Sequence, residues 1–147
     1  MDEFKKYGKQ VCDNRIKYGH ETWYEWSYDK WGTKWNACDN VIERKENEVC
    51  INFNTAWNPV TKLMKKIGRD NKGIELEYDY SEEQVAYIEG KICMANGEIQ
   101  EEIRYKNGSE EAFIHYKDVW GYDPNMTYAQ CMGEDEEDSE EEQEIEI

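Results

Sequence analysis

The sequence predicts an α+β fold, in which a mostly antiparallel sheet carries helices on one face. Three observations lead to this class. Apolar residues recur with the period of a helix before Gly32 and again over residues 60–67, and with the period of a strand elsewhere. Asn96-Gly97 is a dipeptide that strongly favours a two-residue hairpin turn. The length of 147 residues suits a single domain.

Two helices are predicted at the start of the chain. The segment from Asp2 to Tyr18 is polar and weakly amphipathic, and Gly19 interrupts it. From about Glu21 to Trp31, aromatic residues recur at spacings of three, four and seven, which is typical of one helix face. Gly32 then ends the second helix.

A hairpin and a third helix are predicted next. Residues 35–42 alternate in polarity, and residues 49–57 place their apolar side chains on one face of a strand. Asn58-Pro59 predicts a helix start, since Asn is a good N-cap and Pro is tolerated in the first turn. Gly68 is predicted as the C-terminal cap of this helix. Its apolar stripe consists of Val60, Leu63, Met64 and Ile67.

Four strands are predicted to complete the domain. They cover residues 74–80, residues 85–94 with a bend at Gly90, residues 99–105, and residues 112–117. A short helix is expected near residues 126–132. We therefore expect one domain over residues 1–132, with two N-terminal helices followed by the order ββαββββ.

Charge is distributed unevenly along the chain. The sequence has 34 acidic and 18 basic residues, for a net charge of -16. Residues 1–71 hold 11 acids and 13 bases, whereas residues 118–147 hold 12 acids and no base. A run of like charge with few apolar residues cannot bury enough surface to become ordered. Residues 133–147 are therefore predicted to form a disordered acidic tail, and most of the remaining acidity falls in the later strands.

Composition excludes several classes of protein. No apolar stretch approaches the roughly 20 residues of a membrane-spanning helix, and the first residues lack a secretory apolar region, so we expect a cytoplasmic protein. The five cysteines contain no CxxC pair, and His20 and His115 are not in ligand spacing with them. We expect neither a metal nor a disulfide, and we interpret Cys38, Cys50 and Cys93 as small buried residues.

Two segments of the chain resemble a known family. Residues Trp31-Gly-Thr-Lys-Trp-Asn-Ala-Cys-Asp39 and Ile51-Asn-Phe-Asn-Thr-Ala-Trp-Asn-Pro59 are similar in order and spacing to the YubB-type ferredoxin-like proteins of plasmids and phages. The function of that family is not established. The resemblance covers about residues 21–80 and departs from the family at Val60, where a second proline is usual. It implies a ferredoxin-like α+β fold and an origin in a mobile element, hence a bacterial host cell, and it supplies no catalytic residue.

The tryptophans of these segments also have a packing interpretation. Trp35 and Trp57 fall on two paired strands, and Trp31 ends the helix above them. Three converging indoles would attach the helix to the sheet by burying large apolar surfaces. Core packing is the interpretation we favour, and a ligand site is the alternative.

Catalytic machinery is not evident in the sequence. No serine occupies a nucleophile-elbow setting, the glycines form no phosphate-binding loop, and no EF-hand spacing occurs. His115 is interpreted as a packed or surface histidine on the last strand. We expect a non-enzymatic protein without a cofactor. A metal-dependent hydrolase that uses sheet carboxylates such as Asp39 is the less favoured alternative.

The acidic strands suggest a function. Glu75, Glu77 and Asp79 repeat every ~6.6–6.8 Å along a strand, twice the ~3.4 Å axial spacing of phosphates on one DNA strand. Such a face could occupy the basic groove of a host nucleic-acid-handling or defence protein, for example a CRISPR-like nuclease, and inhibit or modulate it. A merely hydrated outer face is the alternative. The candidate partner-binding residues are Glu75, Glu77, Asp79, Glu82, Glu83, Glu98, Glu101 and Glu102.

A single-stranded nucleic-acid-binding protein is the second hypothesis. Trp and Tyr are dense between Trp23 and Trp35, and the helix after Pro59 carries four cations between Lys62 and Arg69. The acidity of the whole chain opposes this hypothesis, because phosphate contacts dominate affinity for nucleic acid. The leading hypothesis therefore predicts no direct binding to nucleic acid or membrane. It predicts neither the oligomeric state nor the identity of the target.

Overall fold

The computed structural model describes residues 2–133. The predicted acidic tail lies, apart from Gly133, outside these residues. The chain divides into two compact units. The first unit comprises Met1–Tyr78 and Ile92–Glu102, and the second comprises Asp79–Lys91 and Ile103–Ile147. The predicted single domain over 1–132 stays a prediction.

Helices and strands both contribute to the described residues, so the α+β class is confirmed. Strands β1 and β2 pair antiparallel as a two-stranded sheet, and the other three strands form a second sheet in the order β3-β4-β5. In the part of the chain that is described, no helix has the length and apolar character needed to cross a membrane. The elements are α1 Asp2–Tyr18, α2 Trp23–Lys30, β1 Cys38–Arg44, β2 Val49–Asn54, α3 Thr61–Asp70, β3 Glu75–Tyr80, β4 Gly90–Ala95, β5 Glu98–Arg104, α4 Glu110–Trp120 and α5 Tyr128–Cys131.

The two predicted N-terminal helices are confirmed. Gly19 follows α1 with a φ of 78°, in the left-handed region that glycine adopts without strain. Thr22 begins α2 with a capping box, in which its hydroxyl accepts from the N–H of Glu25 and its own N–H donates to the Glu25 carboxylate. Local sequence chemistry therefore explains both the break and the second start.

The predicted hairpin is present, but its apolar residues are not buried. Ile42 pairs with Ile51 across the two strands, and both side chains are about half exposed. Phe53, further along β2, stacks on Tyr78 with ring centroids 6.3 Å apart. The prediction that Cys38 and Cys50 are buried is wrong, since both are exposed, and Cys93 is half-buried. The alternating pattern predicted strands correctly but overestimated how much of the hairpin is covered.

The predicted tryptophan core is wrong. Trp57 is 76% exposed and Trp35 is 47% exposed. Strand β2 ends at Asn54, so the alternation does not extend to Trp57, whose φ of 69° turns the chain instead. The two tryptophan segments meet through Thr33, which is buried and donates its hydroxyl to the carbonyl oxygen of Ala56 at 2.6 Å.

Helix α3 begins two residues later than predicted. Its N-cap is Val60, whose N–H donates to the hydroxyl of Tyr78 at 3.1 Å. Gly68 does not cap the helix but lies inside it, where a Cβ would be 2.5 Å from the Sδ atom of Met94 on β4. The close approach of α3 to β4 explains the glycine, and the helix ends at Asp70.

The last predicted strand, residues 112–117, is wrong because this segment belongs to helix α4. Ser109 caps the helix by accepting a hydrogen bond from the N–H of Ala112 at 3.2 Å. Two glutamates in the first turn suit the helix dipole, and Gly121 ends the helix with a φ of 71°. The strand predicted over 85–94 begins only at Gly90. The order after the two N-terminal helices is therefore ββαβββ followed by two helices.

The second unit has its own small core. Val85 and Ala86, from the turn before β4, are buried together with Ala112 and Tyr116 of α4. Burial raises the pKa of Tyr116 to about 12. The short helix α5, which was predicted, contributes Cys131 to the edge of this core. Helical spacing of 112 and 116 thus places both on the buried side of α4.

Two glycines give opposite predictions for the same substitution. A Cβ at Gly90 would lie 2.6 Å from the carbonyl oxygen of Ile103 and would collide with the ring of Tyr80. We expect Gly90→Ala to lower the free energy of unfolding by about 1–3 kcal/mol. A Cβ at Gly8, within α1, would have no neighbour within 4 Å outside the helix backbone. Gly8→Ala should therefore raise the free energy of unfolding by about 0.5–1 kcal/mol. Urea unfolding measures both, and a neutral Gly90→Ala would contradict this packing.

Candidate functional site

The eight candidate carboxylates are divided between the two units. Five lie in the first unit, on β3 and β5, and three lie in the second unit. The first-unit residues are Glu75, Glu77, Glu98, Glu101 and Glu102, and those of the second unit are Asp79, Glu82 and Glu83.

Three of the first-unit carboxylates share one face of the sheet. Tyr78 and Met94 contact α3, so their neighbours Glu77 and Cys93 point to the opposite face. Glu75 lies two residues before Glu77 on the same face. The carboxylate of Glu101 lies 4.0 Å from the Sγ atom of Cys93, which places it on this face as well. All three glutamates are exposed, and we call Glu75, Glu77 and Glu101 the acidic face.

The other two first-unit glutamates lie on the side of α3. Lys65 of α3 donates to both carboxylate oxygens of Glu102, at 2.6 and 2.8 Å. Alternation along β5 places Glu98 on the same side as Glu102. Because Glu102 is already paired with a lysine, its charge is balanced within the first unit.

The three second-unit residues differ from one another. Glu83 is exposed, whereas Glu82 is half-buried and its Oε2 atom has no hydrogen-bond partner among the described residues. Asp79 is half-buried and its Oδ1 atom lies 3.1 Å from Nε2 of His115. Asp79 therefore contacts His115 within the second unit, while 33% of its side chain stays exposed.

A buried cluster of charged groups occupies the second unit. We call His115, Glu89 and Asp79 the ion cluster. Nδ1 of His115 lies 2.7 Å from Oε2 of Glu89, and the Glu89 side chain is fully buried. The other oxygen of Glu89 accepts from the hydroxyl of Ser81 at 2.7 Å, and that hydroxyl accepts from the indole of Trp120 at 2.8 Å. The carboxylate of Glu89 is thus satisfied on both oxygens.

The ion cluster fixes the charge state of its histidine. Burial lowers the pKa of His115, but the hydrogen bonds and negative charges of Asp79 and Glu89 outweigh burial and raise that pKa to about 9. The imidazolium therefore donates from both ring nitrogens at neutral pH. The ring of Tyr105 packs against the imidazole ring of His115, with ring centroids 4.9 Å apart. One cation thus compensates two carboxylates in the interior of the second unit.

One family model matches the chain. Its description is ferredoxin-like domain in Api92-like protein, and it matches residues 30–146. The chain belongs to this family. No curated protein and no solved structure gives a significant match. The ferredoxin-like fold expected from the two tryptophan segments is confirmed, and the family match extends through the later strands as well.

The ion cluster of this ferredoxin-like domain was missed by sequence reasoning. The sequence patterns do not single out Glu89, and they place His115 on a strand rather than on α4. Ser109 as a helix cap, followed by two glutamates and with Gly121 at the end, is the signal that would have placed His115 on a helix beside Ala112 and Tyr116. No pattern in one sequence pairs His115 with Glu89, which lies 26 residues earlier.

The geometry of the ion cluster favours a structural role in this domain. Both nitrogens of His115 are bonded to carboxylates, so neither is available to activate a nucleophile. The hydroxyl of Ser81 bonds to Glu89 and Trp120 rather than to the histidine. Over residues 2–133, no group of three or more His, Cys, Asp or Glu side chains has an arrangement that could hold a metal ion.

The ion cluster makes stability depend on pH. Because the pKa of His115 is about 9 in the folded protein and about 6.5 in an unfolded chain, its contribution is complete below pH 6.5 and is lost as pH rises through 9. The free energy of unfolding should fall over this range by as much as roughly 3 kcal/mol. Urea unfolding at several pH values, followed by tryptophan fluorescence, measures the effect.

Two histidine variants serve as test and control. His115→Gln leaves Glu89 without its counterion, so we expect a loss of about 3–5 kcal/mol at pH 6 and a flat profile between pH 6.5 and 9. His20 pairs with Asp29 near the surface. In His20→Gln, the free energy of unfolding should depend on pH as it does in the unmodified protein. A His115→Gln protein that retained the same pH dependence would show that another group is responsible.

Proposed function

We propose that this chain is a non-enzymatic acidic binding protein of a phage or plasmid. It acts in the cytoplasm of a bacterial host, where it inhibits or modulates a nucleic-acid-handling or defence protein, such as a CRISPR-like nuclease. The acidic face is presented to the basic groove of that target in place of nucleic acid. Membership of the YubB-type group of ferredoxin-like proteins is part of the same proposal.

The observation that carries the proposal is the arrangement of the acidic face. Glu75 and Glu77 are separated by two strand positions, about 6.6–6.8 Å. Glu101 lies on β5, which is separated from β3 by β4, so its strand is about 9–10 Å from theirs. Three carboxylates on one face of a sheet are thus held at about two to three times the ~3.4 Å axial spacing of phosphates on one DNA strand.

The charge of the whole chain supports the same type of target. A net charge of -16 attracts basic proteins over long distances and accelerates their association. The same charge repels nucleic acid. Binding driven by this field weakens steeply with salt, because added ions screen the interaction between exposed charges.

Single-stranded nucleic-acid binding is kept as a second candidate because of exposed aromatic side chains. Trp57 and Trp23 are largely exposed in the first unit, as stacking platforms would be. Two cations of α3 count against this candidate, because they are already paired with carboxylates, Lys65 with Glu102 and Lys66 with Asp70. A gel-shift assay with single-stranded DNA at low salt separates the candidates, since the acidic mimic should give no shift.

The acidic face is tested by a triple substitution. The variant Glu75→Gln, Glu77→Gln, Glu101→Gln removes its three charges and keeps the shape of the side chains. We expect the tagged variant to capture at least 10-fold less basic protein from a bacterial host lysate at about 50 mM salt. Protein captured by the unmodified chain should be released by added duplex DNA and by about 500 mM salt.

A matched control separates the acidic face from net charge. The exposed residues Glu43, Glu46 and Glu48 belong to the same unit, in or beside the β1–β2 hairpin. Their triple change to Gln alters the net charge equally and should leave capture nearly intact. If the acidic-face variant captures its target normally while removal of residues 134–147 abolishes capture, mimicry by the sheet is wrong and the acidic C-terminal segment is responsible.

A further inference from the structure

A cleft lies between helices α1 and α2 of the first unit. Its volume is about 280 Å³. The cleft is formed by the last turns of α1, the short connection after Gly19 and the first turn of α2. Its lining residues are Asn14, Tyr18, His20, Thr22, Trp23 and Trp26.

The cleft is held open by local hydrogen bonds. The side-chain amide of Asn14 donates to the carbonyl oxygen of Glu21 at 3.1 Å, which ties α1 to the connection. Thr22 and Glu25 fix the start of α2 through their capping box. Trp26 is packed edge-on against Trp31 with ring centroids 5.1 Å apart. The walls are therefore positioned by contacts within the first unit, before any ligand arrives.

The lining combines flat aromatic surfaces with polar groups. Tyr18 and Trp23 are about half and two-thirds exposed, so their rings are accessible to a ligand. Asn14, His20 and Thr22 contribute amide, imidazole and hydroxyl groups beside these rings. His20 is oriented by Asp29, whose carboxylate lies 3.1 Å from Nε2. Aromatic rings together with hydrogen-bonding side chains suit a planar ligand ring that itself carries hydrogen-bonding groups on its edge.

We propose that this cleft binds the planar ring of a small heteroaromatic ligand of the nucleobase class. The volume suits one such ring system, because sites for larger drug-sized molecules occupy about 300–1,000 Å³. The ammonium group of Lys17 lies over the ring of the lining residue Tyr18, 4.8 Å from its centre, so a cation stands at one face of this ring.

This site is distinct from the acidic face, but it includes Trp23, on which the second candidate function also rests. Binding of a mononucleotide is compatible with either candidate function, whereas binding of an oligonucleotide favours the second. All six lining residues precede residue 30, where the match to the family begins. The site is therefore a property of this chain outside the matched domain. A free nucleotide and a base of a single strand share the same ring chemistry, and the experiment below distinguishes these two sources.

Titration with nucleotides tests the cleft. The full chain is titrated with AMP, GMP, CMP and UMP, and separately with a ten-residue adenine oligonucleotide, by calorimetry and tryptophan fluorescence. We expect binding of at least one mononucleotide. Because stacking of one base on an aromatic side chain is worth about 1–3 kcal/mol, Trp23→Ala should weaken it roughly 5–150-fold. Tyr18→Ala should also weaken binding, and far-UV circular dichroism verifies that both variants are folded.

Trp35→Ala is the matched control, since Trp35 is also exposed but does not line the cleft. This variant should bind mononucleotides as the unmodified chain does. If both the mononucleotide and the oligonucleotide bind, and Trp23→Ala abolishes both, the cleft accepts a base from either a free nucleotide or a strand. If only the oligonucleotide binds, and Trp23→Ala abolishes that binding, the ligand of the cleft is a base of a single strand. The proposal is overturned if neither probe binds at millimolar concentration, if Trp35→Ala and Trp23→Ala weaken binding equally, or if indole-3-acetate binds as tightly as the nucleotides.

Discussion

The buried carboxylate of Glu89 is the constraint on which the second unit depends. A carboxylate that is fully removed from water is stable only with a counterion and with both oxygens hydrogen-bonded. His115 supplies the charge, and Ser81 completes the bonding. The counterion comes from α4, so the helix and the segment before β4 must be folded together. The ion cluster thus links the same two parts of the chain, the turn before β4 and α4, that supply the apolar core of this unit.

Sequence patterns predicted the elements that are specified locally. The break at Gly19 and the Asn96-Gly97 turn depend on neighbouring residues, and both were located correctly, while the start of α2 was predicted two residues too early. The interpretation of Trp57 failed because exposure depends on how far a strand continues, which the alternation does not define. Helix α4 was missed although its cap at Ser109 was readable, because the alternating polarity of residues 112–117 was given more weight.

The candidate site was predicted only in part, for a physical reason. Alternation along β3 puts Glu75 and Glu77 on one face, but counting acids cannot show which of them meet a cation inside the fold. Glu102 is balanced by Lys65 and Asp79 by His115, through contacts between residues more than 30 positions apart. The number of acidic residues in a sequence therefore overestimates the negative surface that a folded chain presents. In the first unit, fewer carboxylates are available to a partner than the composition suggests.

The β1–β2 hairpin has a consequence for local motion. All seven residues of β1 and five of the six in β2 are exposed, and the two strands form a sheet of their own. A two-stranded ribbon with so little buried surface is at best marginally stable in water. Its backbone hydrogen bonds can open without unfolding the remainder of the chain, so its amide protons should exchange with solvent well before those of the three-stranded sheet.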